Sequence, residues 1–147
     1  MYKPMKVKSI LLIEDDELDI ISVQRVFKKN QYDIKLHTAF NGIEALELLT
    51  GPNRIPIPDV ILLDLNMPKM NGIEFLRALR KMKEFTNVKI FIMTTSNEET
   101  DRLEVSQLGI AGYLIKPLNF NDNNKNSSSM ESFIQFQMLK ILDYGLN

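Results

Sequence analysis

Apolar residues in this chain gather into short runs that alternate with stretches of helical spacing. The runs are Ser9–Ile13, Ile34–Ala39, Val60–Leu63, Val88–Met93 and Gly112–Ile115. The most continuous is Val60-Ile61-Leu62-Leu63, as expected of a strand buried on both faces of a parallel sheet. Between the runs the pattern predicts helices. Glu17–Lys29 has Leu18, Ile21, Val26 and Phe27 available to an inner side, with Asp16 placed to cap it. Asn41-Gly42 opens a short helix ending near Leu49, and Gly72–Met82 carries Phe75, Leu76 and Leu79. Ser96-Asn97-Glu98-Glu99 has the spacing of a capping box and starts a helix running to about Leu108. Met130–Tyr144 forms the last one. Thr50–Pro58, with its prolines, and the Asn- and Ser-rich Asn119–Ser129 read as loops.

Five strand–helix units in succession predict an α/β fold with right-handed crossovers and helices on both faces of the sheet. Five strands suit the flavodoxin-like, doubly wound parallel order 2-1-3-4-5, in which strands one and three are neighbours at the switch point. The length of 147 residues matches one domain, with a core over about 8–144 and no output domain. Hydrophobic residues at 44% and charged residues at 25% fit a globular chain rather than a disordered or membrane-embedded one. A net charge of −1 offers no general attraction to nucleic acid. The lack of cysteine excludes disulfides and thiolate metal sites and suits the cytoplasm. The basic start followed by Ile10–Ile13 superficially suggests a leader peptide, but Glu14-Asp15-Asp16 ends the apolar run too early. No stretch reaches membrane-spanning length.

The switch point is where the chemistry collects. Glu14-Asp15 follows the first strand and Asp64 ends the third, so three carboxylates converge on one edge. Two carboxylates about 4 Å apart repel by roughly 4 kcal/mol at an effective dielectric of about 20. Uncompensated, that crowding pushes a proton onto one of them. A hard divalent cation with oxygen ligands offsets it instead, and magnesium suits one or two carboxylates, a carbonyl and waters. Lys116, after the fifth strand, adds an ammonium, and Thr94, at the end of the fourth, adds a hydroxyl.

Together Glu14-Asp15, Asp64 within Leu62-Leu63-Asp64-Leu65-Asn66-Met67-Pro68-Lys69-Met70-Asn71-Gly72, Thr94 and Lys116-Pro117 resemble the receiver domain of two-component response regulators. The spacings from Asp64 to Thr94 and to Lys116 match that family, and the likeness spans nearly the whole chain. The resemblance implies that Asp64 accepts a phosphoryl group from a sensor histidine kinase or phosphotransfer protein. Mg2+ is then held by Asp15, Asp64 and the Asn66 carbonyl, with Glu14 acting through water; Glu14 stands where Asp is commoner. Lys116 pairs with a phosphoryl oxygen, Thr94 is the switch hydroxyl, and Tyr113 is the aromatic that changes rotamer. The resemblance further implies that the protein catalyses its own phosphorylation and dephosphorylation without being a conventional enzyme, and that Lys116-Pro117 carries a cis peptide. The two long loops are similar to those of single-domain receivers that partner phytochrome-type kinases.

Plainer readings stand beside these. Asp15 and Asp16 could simply cap the first helix, Thr95 competes with Thr94, and His37 reads as a surface residue. A haloacid-dehalogenase-type phosphatase also uses an Asp after a strand, but its second acid is replaced here by Asn66. A flavin or nucleotide binder needs a Gly/Ser/Thr-rich loop after strand one, where Glu14-Asp15-Asp16 would repel phosphate. On the last helix, Met130, Ile134, Met138, Ile141 and Leu142 share one stripe. Phe136 and Leu139 fall opposite it, with Phe133 at the border; either the Asn119–Ser129 loop or the N-terminal tail folds over them, or they mark a face for a downstream protein partner or, most simply, a twofold homodimer.

Overall fold

The computed structural model describes residues 8–29, 34–67, 69–94 and 104–115. Its strands are β1 (Lys8–Ile13), β2 (Ile34–Ala39), β3 (Val60–Asp64), β4 (Lys89–Thr94) and β5 (Gly112–Ile115). Helices α1 (Glu17–Lys29), α2 (Gly42–Thr50) and α3 (Gly72–Arg80) follow the first three, and Lys83–Phe85 adds a 3₁₀ turn. The five strands form one sheet in the order β2-β1-β3-β4-β5, with every pairing parallel. All five residues of β3 are buried, as a central strand covered on both faces requires.

Alternation along the strands divides the core into two layers. Ile10, Leu12, Val60, Leu62, Phe91, Met93 and Leu114 face the layer that contains α1. Leu11, Ile13, Ile61, Leu63, Ile90 and Ile92 face the layer of α2 and α3. Within α1 the buried residues are Ile20, Val23, Val26 and Phe27. Leu18 and Ile21, expected on the inner side, are instead 74% and 41% exposed. The 3.6-residue repeat that runs through Ile20, Val23 and Phe27 leaves no room on the same stripe for either.

Local signals set the element ends. Asp16 Oδ1 accepts from the Leu18 N–H at 2.9 Å and caps α1. Asn41 caps α2 by accepting from the Glu44 N–H at 2.8 Å. Asn71 and Glu74 form a reciprocal capping box at the start of α3. Helix α3 ends at Arg80 rather than Met82, because the Met82 N–H turns to the Leu79 carbonyl and the chain tightens into the 3₁₀ turn. Of the helix expected from Ser96 to Leu108, the described part is 104–108, helical over 104–106 and a turn at 107–108. The loop Asn119–Ser129, the helix Met130–Tyr144 and the Lys116-Pro117 peptide lie outside the described residues. Among the described residues no helix is long and apolar enough to cross a membrane.

Candidate functional site

Strand register brings the acids together. Ile13 pairs with Leu63, so the next residues, Glu14 and Asp64, arrive side by side at the carboxyl edge of the sheet. Glu14, Asp15 and Asp64 each offer a carboxylate oxygen, and these atoms lie within 4.8 Å of one another. Glu14 and Asp64 are the buried charged residues among those described, at 0% and 4% exposure. Asp15 is exposed and opens the cluster to solvent.

The backbone holds Glu14 and Asp64 in place. Glu14 donates its N–H to the Ala39 carbonyl at 2.9 Å, extending the β1–β2 ladder by one residue. Its Oε2 accepts from the Asp16 N–H at 3.1 Å. Asp16 is thus the helix cap, while Asp15 belongs to the cluster. Asp64 Oδ1 accepts from the Asn66 N–H at 3.1 Å, which orients the carboxylate through its own loop. That loop is closed by the Gly72 N–H on the Leu65 carbonyl at 3.0 Å. A Cβ at Gly72 would lie 2.5 Å from the Asp64 carbonyl oxygen and 2.7 Å from Leu65 Cα, so only glycine allows this approach. Lys69, inside the loop, takes the left-handed conformation with φ 63°. Helix α2 braces the same loop, with the Gly42 N–H on the Met70 carbonyl at 3.1 Å.

The donor set is all carboxylate, with two members buried and one facing water. That chemistry fits a hard divalent cation, which removes the mutual repulsion of the acids and retains waters on the open side. It does not fit an anion, since no phosphate-cradling loop follows β1.

The other expected site residues divide by position. Asn66 is exposed beside Asp64. Thr94 closes β4 one residue beyond Met93, the register partner of Asp64, and pairs with Ile115. Tyr113 sits on β5 opposite Ile92, half-buried against the α2–α3 layer. Lys116, Pro117, Thr95, Ser96, Phe133, Phe136, Leu139 and the Thr94 side chain lie outside the described residues. The Asn71–Glu74 capping box and the closure on Gly72 went unread in the sequence. The Asn-x-x-Glu spacing signalled the first of these.

A doubly wound α/β sheet with a cation-type acidic cluster, rather than a phosphate loop, at its switch point defines the class of protein. The chain belongs to the response regulator receiver domain family, whose pattern matches residues 10–126. It is 34% identical over 129 residues to the response regulator Rcp1 of Synechocystis sp., covering 86% of this chain and 88% of Rcp1. The Mn2+-bound form of Rcp1 matches it with a TM-score of 0.76, 32% identity, and coverage of 88% of this chain and 93% of that one. A two-component response regulator from Legionella pneumophila gives a TM-score of 0.74 at 43% identity, covering 92% of this chain and 98% of that one. The phosphorylated cyanobacterial phytochrome response regulator RcpA gives 0.77 at 26% identity, covering 95% and 97%. The protein is therefore a receiver in two-component phosphorelay signalling, and the phosphatase and flavin-binding alternatives fall away.

Proposed function

We propose that Asp64 is the phosphoacceptor, taking the phosphoryl group from the phosphohistidine of a sensor histidine kinase or phosphotransfer protein. The observation that carries this reading is the buried Asp64 carboxylate at the end of the central strand, clustered with Glu14 and Asp15. In the transfer, the P–N bond to the donor imidazole breaks as a P–O bond forms to an Asp64 carboxylate oxygen. The Asn66 N–H holds that carboxylate in orientation. Asp15, Asp64 and the Asn66 carbonyl, with Glu14 beside them, would hold Mg2+, which would supply charge neutralisation for the phosphoryl oxygens. The Mn2+-bound form of Rcp1 supports a divalent ion in this place. Lys116 pairs with another phosphoryl oxygen, and the Thr94 hydroxyl donates to a third. Thr94 in moving leaves space for Tyr113 to turn inward, which biases the neighbouring face between two populations. We propose that the same site returns the phosphoryl group to water; Asn66 and Ser96, two residues after Asp64 and Thr94, are both small and uncharged.

Coverage of most of Rcp1 supports a single-domain receiver, and we propose contact with a protein partner in the cytoplasm as its output. RcpA supports a phytochrome-type kinase as the donor. Asp64→Asn should abolish labelling by acetyl phosphate in Mg2+ while leaving the circular dichroism spectrum unchanged; undiminished labelling would remove the assignment. For output we propose a twofold homodimer through Phe133, Phe136 and Leu139. Phe136→Glu should then convert dimer to monomer in sedimentation, and a wild-type chain that stays monomeric with and without a phosphoryl mimic rules the dimer out.

A further inference from the structure

Arg80, in the last turn of α3, spends its whole guanidinium on main-chain carbonyls. Nε donates to Leu108 at 2.9 Å and Nη2 to Gly109 at 2.7 Å. Nη1 donates to Phe85 at 2.9 Å and to Thr86 at 3.4 Å, and Nη2 also reaches Val88 at 3.4 Å. An arginine has five N–H donors, and these five carbonyls match them one for one. The acceptors belong to two chain ends: the exit of the 3₁₀ turn before β4, and the exit of the helical stretch 104–106 before β5. Carbonyls at a helix exit lack partners within the helix and carry its partial negative charge, so a planar cation is the fitting cap. Burial lowers the Arg80 pKa below its ordinary value.

The segment Arg80 grips has little freedom from other sources. Val105 is fully buried. The Leu108 N–H bonds to the Val105 carbonyl at 2.9 Å, and the Ala111 N–H to Ile90 on β4 at 2.7 Å. Gly109 takes the left-handed conformation with φ 73°. One turn earlier on α3, Arg77 forms an ion pair with Glu104. The other end of α3 is seated on the Asp64 loop through Gly72. Helix α3 therefore spans from the acid cluster to the connection that enters β5, the strand carrying Tyr113.

We infer that Arg80 is a positioning residue that makes the Leu108–Ala111 connection a fixed point of the switching face. Change on phosphorylation is thereby confined to the side of that face nearer Thr94 and Tyr113. The inference rests on the proposed role of Thr94 and Tyr113 for its function, though not for its geometry.

Amide exchange followed by NMR on the full chain tests it, with Arg80→Met keeping the stem and Arg80→Lys keeping the charge. In the wild type, exchange at Leu108 and Ala111 should change less than twofold when beryllofluoride and Mg2+ are added. In Arg80→Met it should quicken at least tenfold at those amides and become sensitive to beryllofluoride, with β1 and β3 amides changed less than twofold. Labelling of Asp64 by acetyl phosphate should stay within twofold of wild type. Arg80→Lys should behave like Arg80→Met, because an ammonium cannot serve both exits at once. A uniform rise in exchange across the sheet, full recovery by lysine, or a wild-type connection that responds to beryllofluoride would overturn the proposal. Loss of the Asp64 assignment would instead appear as labelling that survives Asp64→Asn, leaving the exchange pattern without beryllofluoride as it is.

Discussion

His37 lies on the edge strand β2 opposite Leu11, half-buried rather than at the surface as its sequence context suggested. Its Nε2 is buried and has no hydrogen-bond partner among the described residues. Burial, with Lys35 nearby adding repulsion, lowers its pKa below the ordinary 6.5. Below pH 6.5 the unfolded chain therefore binds this proton before the folded one does, so stability falls as pH drops. The loss levels off once the folded pKa is also passed. Urea unfolding between pH 7.5 and about pH 5 should show this loss, and His37→Gln should flatten it. An identical slope in the variant would assign the effect to other groups. At this scale, half-burial of an imidazole follows from what packs over an edge strand, and nothing in the residues around His37 announces it.

Helix α1 shows how an element finds its face. The sequence offers six large apolar side chains along Glu17–Lys29, namely Leu18, Ile20, Ile21, Val23, Val26 and Phe27, more than one stripe can hold. The sheet selects Ile20, Val23, Val26 and Phe27 and leaves Leu18 and Ile21 outward. Ile20→Ala should cost about 2–4 kcal/mol through the cavity it leaves, whereas Leu18→Ala should stay within about 0.5 kcal/mol. Equal losses in thermal or urea unfolding would contradict this orientation. The boundaries of α1, α2 and β5 were legible because caps, glycines and prolines are local signals. The choice between two overlapping apolar stripes was not, because it depends on the partner surface.

At the scale of the whole molecule, the acid cluster is a local weakness placed in a stiff frame. Glu14 and Asp64 stand at strand ends held in the ladder, so their mutual repulsion cannot be relieved by drift. A ligand that binds only the folded cluster therefore stabilises the entire domain. Mg2+ at about a hundred times its dissociation constant should raise the unfolding free energy by about 2.7 kcal/mol. Calorimetry with and without chelator measures this, and Asp15→Asn or Asp64→Asn should remove most of the gain. A gain that persists in both variants would place the ion elsewhere.

The order of elements, the parallel sheet and the convergence of Glu14, Asp15 and Asp64 follow from the residue pattern alone. Apolar runs with short connections admit few topologies, and a switch point joins strands one and three whatever the side chains do. The Asp64 loop was likewise legible as a turn, since Asn71-Gly72 carries its own signal. Only the folded structure settled which apolar stripe of α1 packs inward, leaving Leu18 and Ile21 exposed. Six large apolar side chains exceed one stripe, and the choice among them follows the surface that the sheet presents. The role of Arg80 was equally hidden. Its five acceptors are main-chain carbonyls from 5 to 29 residues away. Every residue has such a carbonyl, so no residue type marks them, and folding alone gathers them around one guanidinium.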